Sequence, residues 1–319
     1  MALTSQVDLV GVGLNATDTV ISVSEFPERG SKIEYNAETV RAGGQVASTV
    51  VACQFWGLRT RYVGKLGDDA AAALHMREFA KVGTEAKLIH VPEAASPKSL
   101  ILVDAEGERT VLCRRDERLI LQPDEIDRDW IVNARVLHVD GHDTAAATAA
   151  AKWARAAGVP VTADLDETYP GIEELVENID YLIVNSTFPC RLMKENDLHK
   201  ALQQMQQKFG CRLAASTLGP DGVLAWDGTR FHHSAAYHVA VVDSTGAGDI
   251  FRAGFIYGLS QGWSLERQLD FSCAAAARNC MAAGARGGIR PIEEIEELMA
   301  TAPRYPSPFA VESMERVSA

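Results

Sequence analysis

The residues whose types and spacing could do chemistry lie close together in one segment. An apolar stretch at 239–242 is followed by Asp243, by a turn of small residues, Gly246–Gly248, and then by Asp249. The apolar stretch is predicted to be a strand, and the pattern of Ile250–Leu259 predicts a helix. Since N–H groups at the N-terminus of a helix favour negative charge, the turn can bind an anion such as a phosphate group.

Asp249 directly follows this turn. A carboxylate repels an anion, but it is well suited to take a proton from a hydroxyl group that is about to attack phosphorus. A strand–turn–helix corner with Asp249 as the N-cap of the helix is the alternative. The complete string, with Asp243, Asp249 and the helix behind them, is more specific than a glycine-rich loop alone. It favours phosphoryl transfer with Asp249 as the general base.

Composition limits the partners and the compartment. The chain has 319 residues, with 31 Lys and Arg against 43 Asp and Glu and a net charge of −12, which argues against a nucleic acid or an anionic membrane surface as the main partner. The six cysteines form no C-x-x-C pair, and we find neither a signal peptide nor an apolar run of about 18 residues. We therefore expect a cytoplasmic protein with reduced thiols.

Two patterns of secondary structure distinguish the elements that must position these residues. From Val136 onwards, strands alternate with helices, which indicates βαβ units and a parallel sheet covered by helices on both faces. Near 17–40 and 97–115 the chain is rich in strand-forming residues, and the second of these segments has the pattern of a hairpin. We expect a single α/β domain over residues 1–319, with a small sheet from these two segments beside the large one.

Four motifs resemble those of the ribokinase-like (PfkB) family of carbohydrate kinases. Asp243–Asp249 resembles the family signature D-T-x-G-A-G-D, and Gly43–Gly44 before a helix of small residues resembles the first motif. Tyr62–Asp69 resembles the sequence that closes this first motif, and Thr217–Gly222 resembles the nucleotide segment T-x-G-x-x-G. The resemblance extends over nearly the whole chain.

The resemblance implies a doubly wound α/β domain with a β-sheet lid that covers the sugar and forms a homodimer. It also implies an ATP-dependent kinase that acts, with Mg²⁺, on a hydroxyl group of a small sugar-like substrate. Asp249 matches the catalytic base of the family. The N–H groups of Gly246, Ala247 and Gly248 match the anion hole around the transferred phosphoryl group.

The other site residues that the resemblance implies form three groups. The positions assigned to the substrate are Asp18, Gly43, Gly44, Gln45, Ser48, Arg109 and Asp140. The positions assigned to ATP are Asn185, Thr217, Gly219, Gly222 and Asn279. Asp243 and Thr245, with backbone carbonyl groups near 285–288, match the part of the family fold that binds a monovalent cation such as K⁺.

The chain departs from the family pattern at the sugar-binding motif. Gln45 and Ser48 stand at the two positions where the family usually has asparagine. Gln45 reaches further than an asparagine, and Ser48 leaves room that a water can fill. The stretches Gly107–Thr110, His138–Gly141 and Gly284–Ile289 are most similar to the ketohexokinase and sulfofructose kinase branch, which favours a ketose. Ribose, a nucleoside, a 2-keto-3-deoxy acid and a sugar phosphate remain open.

A second departure affects the magnesium motif. The family's N-x-x-E reads Asn185-Ser-Thr-Phe188, so its acidic residue is missing. Asp164 and Asp166, which follow a predicted strand, are candidates to organise Mg²⁺, with turn formation and helix capping as the equal alternative. Phe188, together with Gln45 and Ser48, also leaves a second function class open, a ligand-binding or regulatory protein that keeps the fold with weak or no turnover.

Overall fold

The computed structural model of the chain describes residues 6–105 and 109–309. These residues form thirteen strands and ten α-helices, which we number in chain order. The strands are β1 (Val7–Val12), β2 (Ala16–Val23), β3 (Tyr35–Gly43), β4 (Thr60–Leu66), β5 (Glu85–His90), β6 (Lys98–Val103), β7 (Arg109–Arg114), β8 (Ala134–Asp140), β9 (Val161–Asp164), β10 (Tyr181–Asn185), β11 (Leu213–Thr217), β12 (Val223–Trp226) and β13 (Phe231–Ser234). The helices are α1 (Gln45–Phe55), α2 (Ala70–Val82), α3 (Arg128–Val132), α4 (Thr144–Ala156), α5 (Ile172–Val176), α6 (Phe188–Met193), α7 (Leu198–Phe209), α8 (Ala247–Ser260), α9 (Leu265–Cys280) and α10 (Ile292–Thr301).

A nine-stranded sheet forms the centre, in the order β13-β12-β11-β10-β9-β8-β1-β4-β5. The strands from β11 to β5 in this order are parallel, and β12 and β13 add an antiparallel edge. Leu9 and Val10, which are neighbours on β1 and so point to opposite faces, belong to different buried clusters. Helices α4 and α7 pack in one cluster, and α1, α8 and α9 pack in the other. The predicted doubly wound, mostly parallel α/β fold is confirmed.

The strand order places a crevice at β1. From β1 the sheet continues through β4 and β5 on one side and through β8, β9 and β10 on the other. In open sheets of this kind, ligands bind outside the carboxyl ends of the strands where the order reverses. Gly13 follows β1, and Asp140 and Asp164 end β8 and β9, so all three lie at this end of the sheet.

A second, small sheet has the order β3-β2-β6-β7. Strands β2 and β3 are antiparallel, as are β6 and β7, whereas β2 and β6 are parallel. The segments predicted near 17–40 and 97–115 therefore do combine into one sheet. Strand β3 continues to Gly43, which connects the small sheet directly to the glycine pair before α1.

Near the signature, one prediction of local structure and one alternative to the predicted role of Asp249 are wrong. Residues 239–242 form no strand, and within the described part of the chain this segment pairs with no other strand. It passes the end of α9 instead, where the N–H group of Val242 donates to the carbonyl oxygen of Cys280 (2.8 Å). Helix α8 begins at Ala247 with Gly246 as its N-cap. Asp249 therefore lies in the first turn of the helix and is not its cap.

Candidate active site

The turn at 246–248 and the start of α8 form one structural unit. Gly246 has a φ of +74°, and a Cβ atom there would lie 2.4 Å from the carbonyl oxygen of Ala285, so the position requires glycine. The N–H group of Ala247 donates to the carbonyl oxygen of Ser244 (3.2 Å). Those of Gly246 and Gly248 have no acceptor among the described residues. These two N–H groups and the dipole of α8 are therefore available to bind an anion.

Asp249 is half-buried in the first turn of α8. Its backbone carbonyl accepts a hydrogen bond from Thr49 Oγ1 (3.0 Å), which ties α8 to α1. Burial raises the pKa of Asp249 well above its usual range, repulsion from Asp164 adds to this, and Arg252 opposes it. A carboxylate with a raised pKa is a stronger base than an ordinary aspartate. The environment therefore suits proton abstraction.

Arg252 follows Asp249 by three residues on α8 and lies on the same face of the helix. It is buried, its Nη2 forms an ion pair with Asp164 Oδ1 (2.7 Å), and its Nε donates to the carbonyl oxygen of Ile183 (3.0 Å). The carboxylate of Asp164 therefore compensates the positive charge of the buried Arg252, and it caps no helix. It is not a free carboxylate for Mg²⁺ either, so neither interpretation made from the sequence describes it.

Asp18 faces the site from the small sheet. The register of β2 places it between Arg41 and Ser99, and the Ser99 side chain hydrogen-bonds to its carboxyl group. Burial raises the pKa of Asp18. A Cβ atom on Gly43 would lie 2.1 Å from Asp18 Oδ2, so glycine leaves the space that this carboxyl group occupies. The structure thus brings Asp18 and Gly43 together.

Gln45 and Asp166 meet across the crevice. Gly44 is the N-cap of α1 with a φ of +93°, and Gln45 is the first helical residue. Gln45 Nε2 donates to Asp166 Oδ2 (3.2 Å). The other two oxygens, Gln45 Oε1 and Asp166 Oδ1, are buried and have no hydrogen-bond partner in the described residues. Because buried acceptors without donors cost free energy, this pair is suited to a ligand that brings donors.

Ser48 is fully buried on α1 and contacts Arg286. Arg286 Nε donates to Ser48 Oγ (3.2 Å), and its Nη2 donates to the carbonyl oxygen of Gly43 (2.7 Å). Burial lowers the pKa of Arg286 to about 10, which leaves it a cation at neutral pH. The Ser48 hydroxyl group therefore accepts a hydrogen bond from Arg286, and its assignment to the substrate stays a prediction.

Both carboxylate oxygens of Asp140 form hydrogen bonds within the protein. Asp140 is fully buried, Oδ2 accepts from the N–H group of Leu14 (2.7 Å), and Oδ1 accepts from the N–H group of His142 (3.0 Å). The carboxyl group therefore joins the loops that follow β1 and β8, and its assignment to the substrate stays a prediction. Arg109 begins β7 opposite Val103, and its side chain lies outside the described part of the structure.

An apolar groove of about 330 Å³ opens on the other side of the turn. Most of its lining is small or apolar, and it includes Thr217, Gly219, Gly222, Val241, Ala247, Gly248, Phe251 and Ala276. Gly222 has a φ of +84°, and a Cβ atom there would lie 2.0 Å from the carbonyl oxygen of Ser234. The three glycine and threonine positions assigned to ATP at 217, 219 and 222 all line this groove. A groove that ends at an anion-binding turn has the shape and charge for a nucleotide.

Asn185 and Phe188 do not line this groove. Asn185 Oδ1 accepts from the N–H groups of Thr187 (3.2 Å) and Phe188 (2.9 Å), and its Nδ2 donates to the carbonyl oxygen of Asp166 (3.2 Å). Phe188 begins α6 and is fully buried in the core. The side chain of Asn185 therefore orders the start of α6, and position 188 faces the core and not a metal.

Asn279 is also absent from the lining and is fully buried. Its Nδ2 donates to the carbonyl oxygens of Thr245 (3.3 Å) and Ala285 (3.2 Å), so its amide orders these loops, and its assignment to ATP stays a prediction. The two carboxylate oxygens of Asp243 accept from the N–H groups of Thr245 and Gly284 (both 2.8 Å). The carboxylate oxygens of Asp243 and the carbonyl oxygens of Thr245 and Ala285 therefore already accept hydrogen bonds from the protein, and a monovalent cation at this place stays a prediction.

Asp166 is the residue that fits Mg²⁺. Within residues 6–105 and 109–309, no group of three or more His, Cys, Asp or Glu side chains is arranged to hold a metal ion. Mg²⁺ in sites that bind ATP uses one or two carboxylates and keeps several waters. The buried, unpartnered Oδ1 of Asp166 can accept a hydrogen bond from such a water. No helix in the described residues has the length and apolarity to cross a membrane.

The geometry agrees with what sequence comparison finds. A family model described as pfkB family carbohydrate kinase matches residues 8–292. The chain belongs to the PfkB family of carbohydrate kinases. Its activity class is therefore ATP-dependent phosphoryl transfer to a sugar.

Relatives of this carbohydrate kinase differ in their named substrates. The chain is 27% identical to the ATP-dependent ribose-1-phosphate kinase of Halopiger xanaduensis over 84% of its length and 90% of the relative. It is 26% identical to the fructoselysine 6-kinase of Escherichia coli over 76% of its length and 91% of the relative. The solved ribokinase of Thermotoga maritima aligns with a TM-score of 0.82 at 25% identity, over 92% of this chain and 100% of that one.

Sequence reasoning about this kinase missed two polar residues at the site. Arg252 had a visible signal, since it is the one charged residue between Ile250 and Leu259 in a strongly apolar helix. Asn15 follows β1, its Nδ2 donates to the hydroxyl group of Tyr62 (3.0 Å), and its Oδ1 is buried without a partner among the described residues. Asn15 lies in the sequence between the end of a predicted strand and Asp18, and this position could have predicted that it lies at the site.

Proposed function

We propose that this kinase uses Asp249 as the general base to activate a hydroxyl group of a small sugar or sugar-like molecule. The observation that carries the proposal is the position of Asp249, which stands beside an anion-binding turn with a raised pKa. Asp249 takes the hydroxyl proton as the oxygen attacks the γ-phosphorus of ATP. The N–H groups of Gly246 and Gly248 stabilise the negative charge on the transferred group. ADP leaves along the apolar groove.

The sugar lies between the small sheet and the carboxyl ends of the large sheet. Asp18, Asn15 and Gln45 present acceptor oxygens to this space, and hydroxyl groups are their natural donors. Asp166 adds another acceptor. Because acceptors outnumber donors around the site, an uncharged polyhydroxy compound suits it, and we favour a ketose. The similarity to a fructoselysine kinase supports this choice.

ATP brings Mg²⁺, which bridges and neutralises the phosphates during transfer. Asp166 accepts hydrogen bonds from water around the ion, because its Oδ1 is buried and unpartnered and Phe188 offers no oxygen. Asn185 keeps Asp166 in place through the carbonyl group of Asp166. The proposed reaction does not depend on a monovalent cation, since the carboxylate oxygens of Asp243 and the carbonyl oxygen of Thr245 already accept hydrogen bonds from the protein.

The small sheet acts as a lid over the sugar and as the contact between two copies of the chain. Apolar side chains are exposed on it at Tyr35, Val111 and Leu112, and such side chains are typical of protein interfaces. Light scattering coupled to gel filtration should give twice the mass of one chain. A monomer at micromolar concentration would contradict this part of the proposal.

ADP release measured over a panel of sugars tests the proposed function. The panel contains ribose, fructose, fructoselysine, ribose 1-phosphate, adenosine and a 2-keto-3-deoxy sugar acid, with Asp249→Asn as the matched control. We expect one class of compound to stimulate ATP turnover in the wild type and not in the control. Calorimetric binding of a sugar without turnover by the wild type would instead support the alternative, a ligand-binding protein that keeps the kinase fold.

A further inference from the structure

A cavity of about 450 Å³ lies behind the sugar site. The edge strand β3, helices α1 and α2, and the loop at 286–290 line it, and it is open to solvent on one side. Neither Asp18, Gln45 nor Asp249 lines it, so it is separate from the space assigned to the sugar. The apolar groove assigned to ATP lies elsewhere and shares no lining residue with it.

The lining of this cavity is strongly basic in an acidic protein. Four cationic side chains, Arg41, Lys81, Arg286 and Arg290, face one carboxylate, Glu78. Among the described residues, none of the four cations forms an ion pair within 4 Å. We refer to this site as the basic cavity. Arg41 and Lys81 are exposed, and Arg290 donates to the carbonyl oxygens of Gly287 and Ile289. In a chain with a net charge of −12, four cations around one carboxylate are a local excess of positive charge that attracts an anion.

The basic cavity also has an apolar part. Phe55 and Val40 line it, and their side chains are 47% and 54% exposed. Large apolar side chains that stay exposed beside unpaired cations are suited to a ligand that has both an anionic group and an apolar or aromatic group. Inorganic phosphate would use only the cations.

Arg286 connects the basic cavity to the sugar site. It lines the cavity, while its Nη2 donates to the carbonyl oxygen of Gly43 and its Nε donates to Ser48 Oγ. Its Nη1 is buried without a partner among the described residues. A negative charge in the cavity would attract the Arg286 guanidinium group and change how it holds Gly43.

We propose that the basic cavity is an effector site for an organic anion with an aromatic part, such as a phosphorylated aromatic compound, and that Arg286 couples it to sugar binding. The proposal that an anion binds in the basic cavity depends only on the residues that line the cavity. The coupling rests on the proposed function, because it requires that Gly43 belongs to the sugar site. Since coupling between two sites is reciprocal, the sugar should change the affinity for the anion by the same factor as the anion changes the affinity for the sugar.

The test uses phenyl phosphate as the probe and calorimetry on the full-length protein saturated with a non-hydrolysable ATP analogue, which blocks the nucleotide groove. We expect phenyl phosphate to bind the wild type and Lys81→Glu to weaken this binding about tenfold or more, because it reverses a charge at the site. Lys200→Glu on α7 makes the same charge change on an exposed lysine far from the cavity and should leave the Kd unchanged. If Lys81→Glu unfolds, Lys81→Gln and Lys200→Gln give the same comparison.

Several results would overturn the proposal. One is no binding to the protein saturated with the ATP analogue, and another is equal weakening by the changes at Lys81 and Lys200. We also expect inorganic phosphate to bind several-fold more weakly than phenyl phosphate, and Phe55→Ala to remove this difference. Equal Kd values for the two probes in the wild type would reject an aromatic effector. The coupling is tested by repeating the titration with the best sugar of the panel: an unchanged Kd would reject the role of Arg286 while leaving the sugar kinase assignment untouched.

Discussion

Asp249 lies between two different surroundings. Polar side chains lie towards the small sheet, whereas the groove beyond the turn at 246–248 is lined by glycine, alanine and other small or apolar residues. The side on which we propose that the sugar binds contains Asp18, Asn15, Gln45 and Asp166, and three of these residues have buried oxygens without a partner among the described residues. The groove presents glycine backbone at 219 and 222 and apolar side chains beyond it. If the sugar and ATP bind as proposed, the two sides recognise them by different means.

The difference has a physical meaning for specificity. A site that must hydrogen-bond to hydroxyl groups rejects compounds that lack them, because its buried oxygens are then left unpaired. A groove of small residues selects by shape and by close approach of the backbone, which the same nucleotide satisfies in every turnover. Changes on the sugar side should alter which substrate is used, whereas changes in the groove should alter the affinity for ATP.

The largest effect should come from the residue between the two sides. Asp249→Asn is expected to lower kcat by about 10²–10⁴, because the hydroxyl proton loses its acceptor. Binding of both the sugar and ATP, measured by calorimetry, should change little, since the amide has nearly the same shape. If kcat stays within a few-fold of the wild type, Asp249 is not the base.

The second largest effect should be a loss of stability when Arg252, the buried arginine of α8, is replaced. Arg252→Met is expected to lower the free energy of unfolding by about 3–5 kcal/mol, because it leaves Asp164 as a buried, unpaired charge. Urea denaturation measures this loss. The double variant Asp164→Asn, Arg252→Met is the control, and it should be more stable than Arg252→Met alone. Equal stability of the single and double variants would contradict a paired charge at this place.

Residues whose role is fixed by the local backbone could be predicted from the sequence. Gly44 and Gly246 have positive φ values, and Gly43 leaves the space for a neighbouring carboxyl group. Each of these backbone requirements concerns a single position, so a short sequence motif is enough to predict it. The large parallel sheet could also be predicted, because its strands are apolar runs alternating with helices.

Roles that depend on distant partners could not be predicted. Gln45 and Asp166 are 121 positions apart in the chain, and only the fold brings them together. Asn185 and Asn279 stand where the family pattern assigns them to ATP, yet their amides hold loops of the protein. Phe188 stands where the family motif has an acidic residue, but its side chain is buried in the core at the start of α6. A motif gives the position of a side chain along the chain, not its direction.

The third prediction tests the sugar side. Gln45→Ala should lower kcat/KM for the sugar about 10–100-fold, since it removes an acceptor and leaves Asp166 without its donor. The KM for ATP should stay within about twofold. Gln207→Ala on α7 makes the same change at an exposed position and serves as the control. An equal rise in the KM for ATP would show that the two sides are not separate.

The fourth prediction tests the groove. Gly222→Ala should raise the KM for ATP about tenfold, because its Cβ atom would lie 2.0 Å from the carbonyl oxygen of Ser234 and the backbone must shift. Sugar affinity should not change. Gly210→Ala is the matched control: its φ is also positive, at +69°, but a Cβ atom there meets nothing within 4 Å. A loss of ATP affinity in both variants would point to general destabilisation of the fold.

The smallest effect is a gain in stability from the same change that abolishes catalysis. Burial and repulsion from Asp164 raise the pKa of Asp249 in the folded protein above that of an unfolded aspartate, which is about 3.9. Below that value both states are protonated and the group contributes nothing. As the pH rises from there through the raised folded pKa, the unfolded chain releases its proton first, so folding becomes less favourable. At neutral pH, ionised Asp249 therefore destabilises the fold.

Asp249→Asn removes this pH-dependent penalty. We expect the variant to exceed the wild type in free energy of unfolding by about 1 kcal/mol at pH 7.5, as is common when a strained active-site residue is replaced. The gain should shrink as the pH falls towards 4, because the wild-type carboxyl group is then neutral in both states. Urea denaturation of the two proteins at pH 5, 6 and 7.5 measures it, and Asp221→Asn at an exposed aspartate is the control. A gain that is constant with pH would mean that the carboxyl group does not titrate differently in the folded state, and Asp249 would then lose the environment that makes it a base.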